Sequence, residues 1–312
     1  MTVADAAAAG RNQVPLGIAY TVGSTVMFAG GNAVVKWQLA TYPLGEVAFG
    51  RTLFAFLTVA AIVLPRAGWG VLRTRRYREH LQRGLSQFGS MLCWFLAVSV
   101  LSLGSATAIG FAAPLFTTLL SIVILKEQVG IHHWSALIVG FVGVLIITRP
   151  GTGTLTSGAL FALGNAVLIS TVAIAIRRMS LTESTETLTL YQMSIMTLCT
   201  AGLLTLGFRA PHWGDALMVA LAGVGNGIAQ FWWTRSLSLA PASAVVPFNY
   251  LSLVWATILG FAVWGDVPTP GLLVGSAIVV ASGLYILWRE AFRRRPAVPA
   301  PRRGFADTRR SS

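Results

Sequence analysis

Long apolar runs constrain this chain more than any other feature. Ten stretches of roughly 18 to 24 mostly apolar residues fall at about 14–36, 44–65, 84–102, 105–125, 131–148, 157–178, 187–207, 215–238, 241–264 and 270–289. A helix needs about 20 such residues to cross a bilayer core. Backbone N–H and C=O groups find no water in hydrocarbon, so spanning segments close their hydrogen bonds internally as helices. A transmembrane barrel would show short alternating segments instead. Composition agrees. Of the 312 residues, 55% are hydrophobic and 11% charged, where a soluble domain carries about 25% charged. The expected fold class is an all-α membrane protein with ten transmembrane helices. The first run lacks a small-residue cleavage pattern, so it reads as a retained helix, not a signal peptide.

The net charge of +13 would fit nucleic acid, but its placement argues for a membrane. With the N-terminus inside, 19 of the 23 basic residues fall on the cytoplasmic side, including Arg66, Arg73, Arg75, Arg76, Arg78 and Arg83 and eight arginines from Arg289 to Arg310. Lys36, Arg149 and Arg209 fall outside, and Arg51 lies within the second run. This bias puts both termini in the cytoplasm. No nucleic-acid partner is expected. The tail at 291–312 is rich in Pro and Arg with no apolar face, so it is expected to be disordered, its arginines near anionic lipid headgroups.

The chain repeats itself. "GIAYTVGSTVMFAGGNAVVKW" (17–37) lies over "GALFALGNAVLISTVAIAIRR" (158–178), placing Ser24 on Asn165 and Lys36 on Arg177. "GEVAFGR" (45–51) lies near "TETLTLY" (185–191), with Arg51 on Tyr191. "LSLGSATAIGF" (101–111) lies over "LSLAPASAVVP" (237–247), and the same offset puts Ser90 on Asn226 and Trp94 on Gln230. Each copy holds five helices. Five is odd, so the second copy enters the membrane from the opposite side. Inverted repeats mark secondary transporters, with the substrate site near the midplane between the copies. The expected organisation is an N-terminal tail (1–13), repeat one (14–149), repeat two (157–290) and the basic tail (291–312).

Two blocks carry a family resemblance. "FAAPLFTTLLSIVILKEQVGIHHWSALIVGFVGVLIITRPG" (111–151) and "ASAVVPFNYLSLVWATILGFAVWGDVPTPGLLVGSAIVVASGLYILWRE" (242–290) look like the ends of two EamA repeats. With them the chain resembles the drug/metabolite transporter superfamily from about 14 to 290. The resemblance implies ten helices, two inverted repeats and transport of small metabolites. Similar members carry S-adenosylmethionine, riboflavin or metallophores, or export amino acids. One departure stands out: Glu127 follows the fourth helix of repeat one, where repeat two has Asp266.

Polar groups inside a span are costly and usually face a bundle interior or a wet cavity. On the eighth run, Asn226, Gln230 and Trp233 share one helical face. The competing reading for the two amides is interhelical bonding, and for Trp233 an interfacial anchor. In the ninth run, Pro247 removes a helical hydrogen bond, and Asn249 and Tyr250 bring a carboxamide and a phenol to the same depth. Tyr250 is the expected substrate contact; Asn249 points about 100° away. Phe111 and Pro114 occupy the comparable part of the fourth run. In the third run, Gln87 and Trp94 flank Ser90, and the Trp94 indole offers a face for a flat or cationic ligand. Arg51 lies about two turns into the second helix. It needs a partner there, so it meets a substrate carboxylate or phosphate, or snorkels to water. Asn32 and Lys36 read as a gate or snorkelling pair. The substrate-binding candidates are therefore Arg51, Trp94, Phe111, Asn226, Gln230 and Tyr250.

Other classes find little support. No phosphate-loop motif is present, so ATP does not drive the chain directly. Cys93 and Cys199 lie apart inside helices and read as packing residues, and the four histidines show no metal-ligand spacing. No cofactor, metal or catalytic residue is expected. Gly271 and Gly275, with Gly140 and Gly143, suit close helix packing, within the chain in preference to a homo-oligomer face. The reading is a secondary transporter of the inner membrane, not an enzyme, moving a small organic metabolite (riboflavin-like, S-adenosylmethionine-like or an amino acid) by alternating access. Its rivals are a non-transporting structural or regulatory membrane subunit and a membrane-embedded transferase.

Overall fold

A computed structural model describes residues 14–125, 131–148, 157–179, 182–239 and 245–293. Among these residues the fold is all helical. The α-helices are α1 (Val14–Gln38), α2 (Leu44–Ala67), α3 (Tyr77–Val100), α4 (Leu103–Gly110), α5 (Ala113–Leu125), α6 (Ile131–Thr148), α7 (Ser157–Met179), α8 (Thr185–Leu203), α9 (Trp213–Leu239), α10 (Leu251–Trp264) and α11 (Pro270–Arg293). Short 3-10 turns lie at Trp69–Leu72, Leu204–Leu206 and Val246–Tyr250. Six segments among the described residues are long and apolar enough to cross a membrane, and shorter apolar helices accompany them. The N-terminal tail, Glu127 and all of the basic tail beyond Arg293 lie outside the described residues.

The packing repeats as the sequence does. Helix α1 packs on α9, and α3 on α7; α2 also packs on α9, and α8 on α3. Helix α10 packs on α1, and α5 on α7. Two further pairs join equivalent helices: α2 with α8, and α6 with α11. Exchanging the two copies maps this set of neighbours onto itself.

Small residues allow the close approach. Ala48, Ala55, Ala97 and Ala106 are fully buried, whereas Leu198, Val123 and Phe261 stand exposed on the outer faces. The pattern suits helices whose outer surface meets lipid and whose contacts are tight van der Waals packing. The α6–α11 pair shows it reciprocally. A Cβ on Gly143 would sit 2.9 Å from the Gly275 carbonyl oxygen, and one on Gly275 would sit 2.7 Å from the Gly143 oxygen.

The fourth apolar run departs from expectation. It is not one helix: α4 ends at Gly110, and α5 resumes at Ala113. Pro114 supplies the reason, since its ring conflicts with the carbonyl four residues earlier, at Gly110. Among the described residues of the ninth run, a 3-10 turn at Val246–Tyr250, with Pro247 in its first turn, precedes α10. Both breaks fall at the same place in the aligned repeats. At the far end of α10, Gly265 takes a left-handed conformation (φ 70°), and the Asp266 N–H reaches the Gly260 carbonyl. The Gly265 N–H donates to the Phe261 carbonyl at 2.9 Å, the bond of an αL cap.

Candidate central binding site

A cavity of about 430 Å³ lies where the two repeats meet. Repeat one contributes Asn32 from α1, Arg51 from α2, Gln87, Ser90 and Trp94 from α3, and Phe111 at the α4 break. Repeat two contributes Asn165 from α7, Gln192 from α8, Asn226, Gln230 and Trp233 from α9, and Asn249 from the 3-10 turn. The periodicity is helical. Gln87, Ser90 and Trp94 on α3, like Asn226, Gln230 and Trp233 on α9, each form one stripe facing inward.

Arg51 is the cavity's chemical centre. Its side chain is buried, with the residue 8% exposed. Nη2 donates to Asn226 Oδ1 at 3.0 Å, and the guanidinium carbon lies 5.7 Å from the Phe95 ring centre. Nε has no hydrogen-bond partner. Among the described residues that line the cavity, Arg51 is the only charged one. Across the cavity, Ser90 Oγ donates to Asn165 Oδ1 at 2.7 Å. The Trp94 indole nitrogen is buried without a partner.

Five of the six candidates from sequence, Arg51, Trp94, Phe111, Asn226 and Gln230, line this one cavity. Tyr250 lies apart from it. Its ring packs on Phe111, with centres 4.7 Å apart, and its hydroxyl is wedged against Gly283 of α11, leaving no room for a Cβ there. Asn249 takes the inward position instead. The two neighbours point well apart on either helical winding, and their order in the chain does not say which of them faces inward. Asn165 and Gln192 also line the cavity, although neither is among the sequence candidates. Both are amides inside apolar runs, so the rule that selected Asn226 applies to them equally, and Asn165 lies opposite Ser24 in the repeat alignment.

Polar networks tie the bundle at both ends. At the arginine-rich end, Thr74 donates to Glu183 at 2.6 Å and Tyr191 donates to the Leu72 carbonyl at 2.7 Å. Arg83, also buried, donates to the Leu188 carbonyl at 2.7 Å and to the Gln192 side chain. Gln192 therefore belongs to both network and cavity. At the opposite end, Tyr42 donates to Asp215 at 2.6 Å, and the Arg209 backbone N–H to Glu46 at 3.0 Å. The hydrogen bond to Asp215 pushes the Tyr42 phenol above its ordinary pKa. Lys36 donates to the carbonyls of Val98 and Leu101, at 3.1 and 2.5 Å. It thus satisfies orphan carbonyls at the C-terminus of α3, while Asn32, one turn earlier, faces the cavity.

The EamA-like transporter family matches the chain twice, over residues 15–149 and 156–288. The chain belongs to this family. A riboflavin transporter of Rhizobium johnstonii is 28% identical, over 90% of this chain and 94% of the relative. An S-adenosylmethionine uptake transporter of Rickettsia felis is 24% identical, over 88% and 93%. A pseudopaline exporter of Pseudomonas aeruginosa is 27% identical, over 85% and 94%. A solved crystal structure superposes with a TM-score of 0.63 at 18% identity, covering 88% of this chain and 97% of that one; that likeness concerns the fold. Family, relatives and apolar helices together support a multi-pass membrane protein that transports a small molecule, not an enzyme.

Proposed function

We propose that this EamA-family chain is a secondary transporter that carries a small organic metabolite across the inner membrane by alternating access. One observation carries the reading: the cavity is walled by both repeats, with polar side chains from each. A site shared between two packed units is exposed to one side or the other as the units rock. The end networks join the α2–α3 connection and α3 to α8 and the residues just before it at one end, and the α1–α2 connection and α2 to α9 and the residues before it at the other; these are the contacts that such rocking would exchange. The arginine-rich end faces the cytoplasm, as the basic bias requires. The ligand is of the size and polarity of those named for the relatives, which include riboflavin and S-adenosylmethionine.

Flux into liposomes holding the purified full-length protein tests this. Saturable uptake of riboflavin, S-adenosylmethionine or an amino acid is expected, reduced at least tenfold by Ser90→Trp, which fills the cavity. Uptake at the level of empty liposomes for the whole panel would overturn the proposal.

A further inference from the structure

We infer that Arg51 is the anchor for a carboxylate on the carried molecule, so that the cargo is a ring-bearing organic acid or zwitterion. The inference rests on the carrier reading for the word cargo, but the binding chemistry stands on the cavity itself. A guanidinium stays protonated, and it carries five N–H donors and no acceptor. Arg51 makes one hydrogen bond among the described residues, to a neutral amide. No aspartate or glutamate lies among the described residues lining the cavity. A buried, hydrogen-bonded charge without a counter-charge is costly, and the Phe95 ring beside it offsets only part of that cost. A carboxylate from outside supplies what the protein omits: one negative charge and two acceptor oxygens that match the guanidinium fork. One cation calls for a monoanion. A phosphate dianion would require a second cationic side chain, and Lys36 is occupied at the end of α3.

The remaining walls describe the rest of the molecule. Trp94, Phe111 and Trp233 supply ring faces for stacking. Gln230 and Asn249 supply donors and acceptors without charge. An ammonium group on the ligand is acceptable beside its own carboxylate. A polyamine, positive throughout, would meet an uncompensated arginine and no acid.

Matched pairs that differ at the carboxylate test this on the full-length protein in detergent. The pairs are tryptophan and tryptamine, indole-3-acetate and indole-3-acetamide, and S-adenosylmethionine and its decarboxylated form. The measurement is the melting-temperature rise with ligand concentration, since a ligand of the folded state stabilises it by mass action. Carboxylate members are expected to bind at least tenfold more tightly than their partners, with the preference lost in Arg51→Gln. Asn226→Asp places a carboxylate on Arg51 from within the chain; it is expected to raise the melting temperature without ligand and abolish the preference. That variant keeps the test open if Arg51→Gln fails to fold. The inference is overturned if amine or amide members bind within twofold of the acids, if no carboxylate in the panel binds, or if either variant keeps the preference. Liposome flux separates it from the carrier reading. Uptake of tryptophan and tryptamine alike would keep the carrier and discard the anchor. Carboxylate-selective binding without flux of any probe would keep the anchor and discard the carrier.

Discussion

The two repeats make the same helix pairings but different bonds at their common centre. On one side of the cavity, α3 meets α7 through a neutral bond from Ser90 to Asn165. The aligned positions on the other side are Asn226 on α9 and Ser24 on α1, and they bond elsewhere. Ser24 donates to the Thr21 carbonyl of its own helix at 2.7 Å, and Asn226 accepts from Arg51 of α2. In the sequence alignment Tyr191 lies near Arg51, but Tyr191 sits at the arginine-rich end, bonded to the Leu72 carbonyl, and it is the neutral amide Gln192 beside it that lines the cavity. The scaffold is therefore two-fold in its packing, while its chemistry at the centre is one-sided. Duplication supplies a cavity between like halves. Arg51, on one half, gives that cavity a charge and a direction.

The largest expected effect tests the symmetric part. Gly143 and Gly275 face each other's carbonyls at nearly equal distance, so Gly143→Leu and Gly275→Leu are expected to cost alike, about 3 kcal/mol each at the upper end for overpacking. Matching drops in melting temperature in detergent would confirm the reciprocity; a large drop for only one would break it. Next comes the one-sided part. Asn226→Ala removes the hydrogen-bond acceptor of a buried charge and is expected to cost about 2 kcal/mol. Ser90→Ala removes a neutral interhelical bond and should cost about 0.6 kcal/mol. Equal losses for the two would contradict the asymmetry. The smallest effects separate neighbours in the 3-10 turn. Asn249→Ala is expected to weaken ligand binding several-fold, whereas Tyr250→Phe, whose hydroxyl abuts Gly283 away from the cavity, should leave affinity within twofold in the same melting assay. The reverse ranking would return Tyr250 to the site.

Much of the architecture is legible in the order of residues alone. Apolar runs of bilayer length admit little but helices, because hydrocarbon offers no partner to a backbone amide. The cost of polar groups inside a span singles out Asn226, Gln230, Trp94 and Arg51, and these side chains share one cavity. That rule weighs residues one at a time, so it does not separate Asn165 and Gln192 from amides that bond only between helices. It also ranks Tyr250 above Asn249, because residue order says that the two neighbours point apart but not which of them faces the cavity. Pro114 is visible in the sequence, but an apolar run of spanning length hides its consequence, the split of the fourth run at Gly110.

The sequence by itself determined the helices, their duplication and the uneven charge between the two ends, since all three follow from composition and order along the chain. It left the fate of Arg51 open between substrate and water. Only the tertiary structure decided that the guanidinium is buried at the bundle centre, opposite an amide and with no acid among the described lining residues. The reason is physical. A charge's environment is set by groups 175 positions away in sequence, as Asn226 is from Arg51, and such distances close only when the two repeats pack.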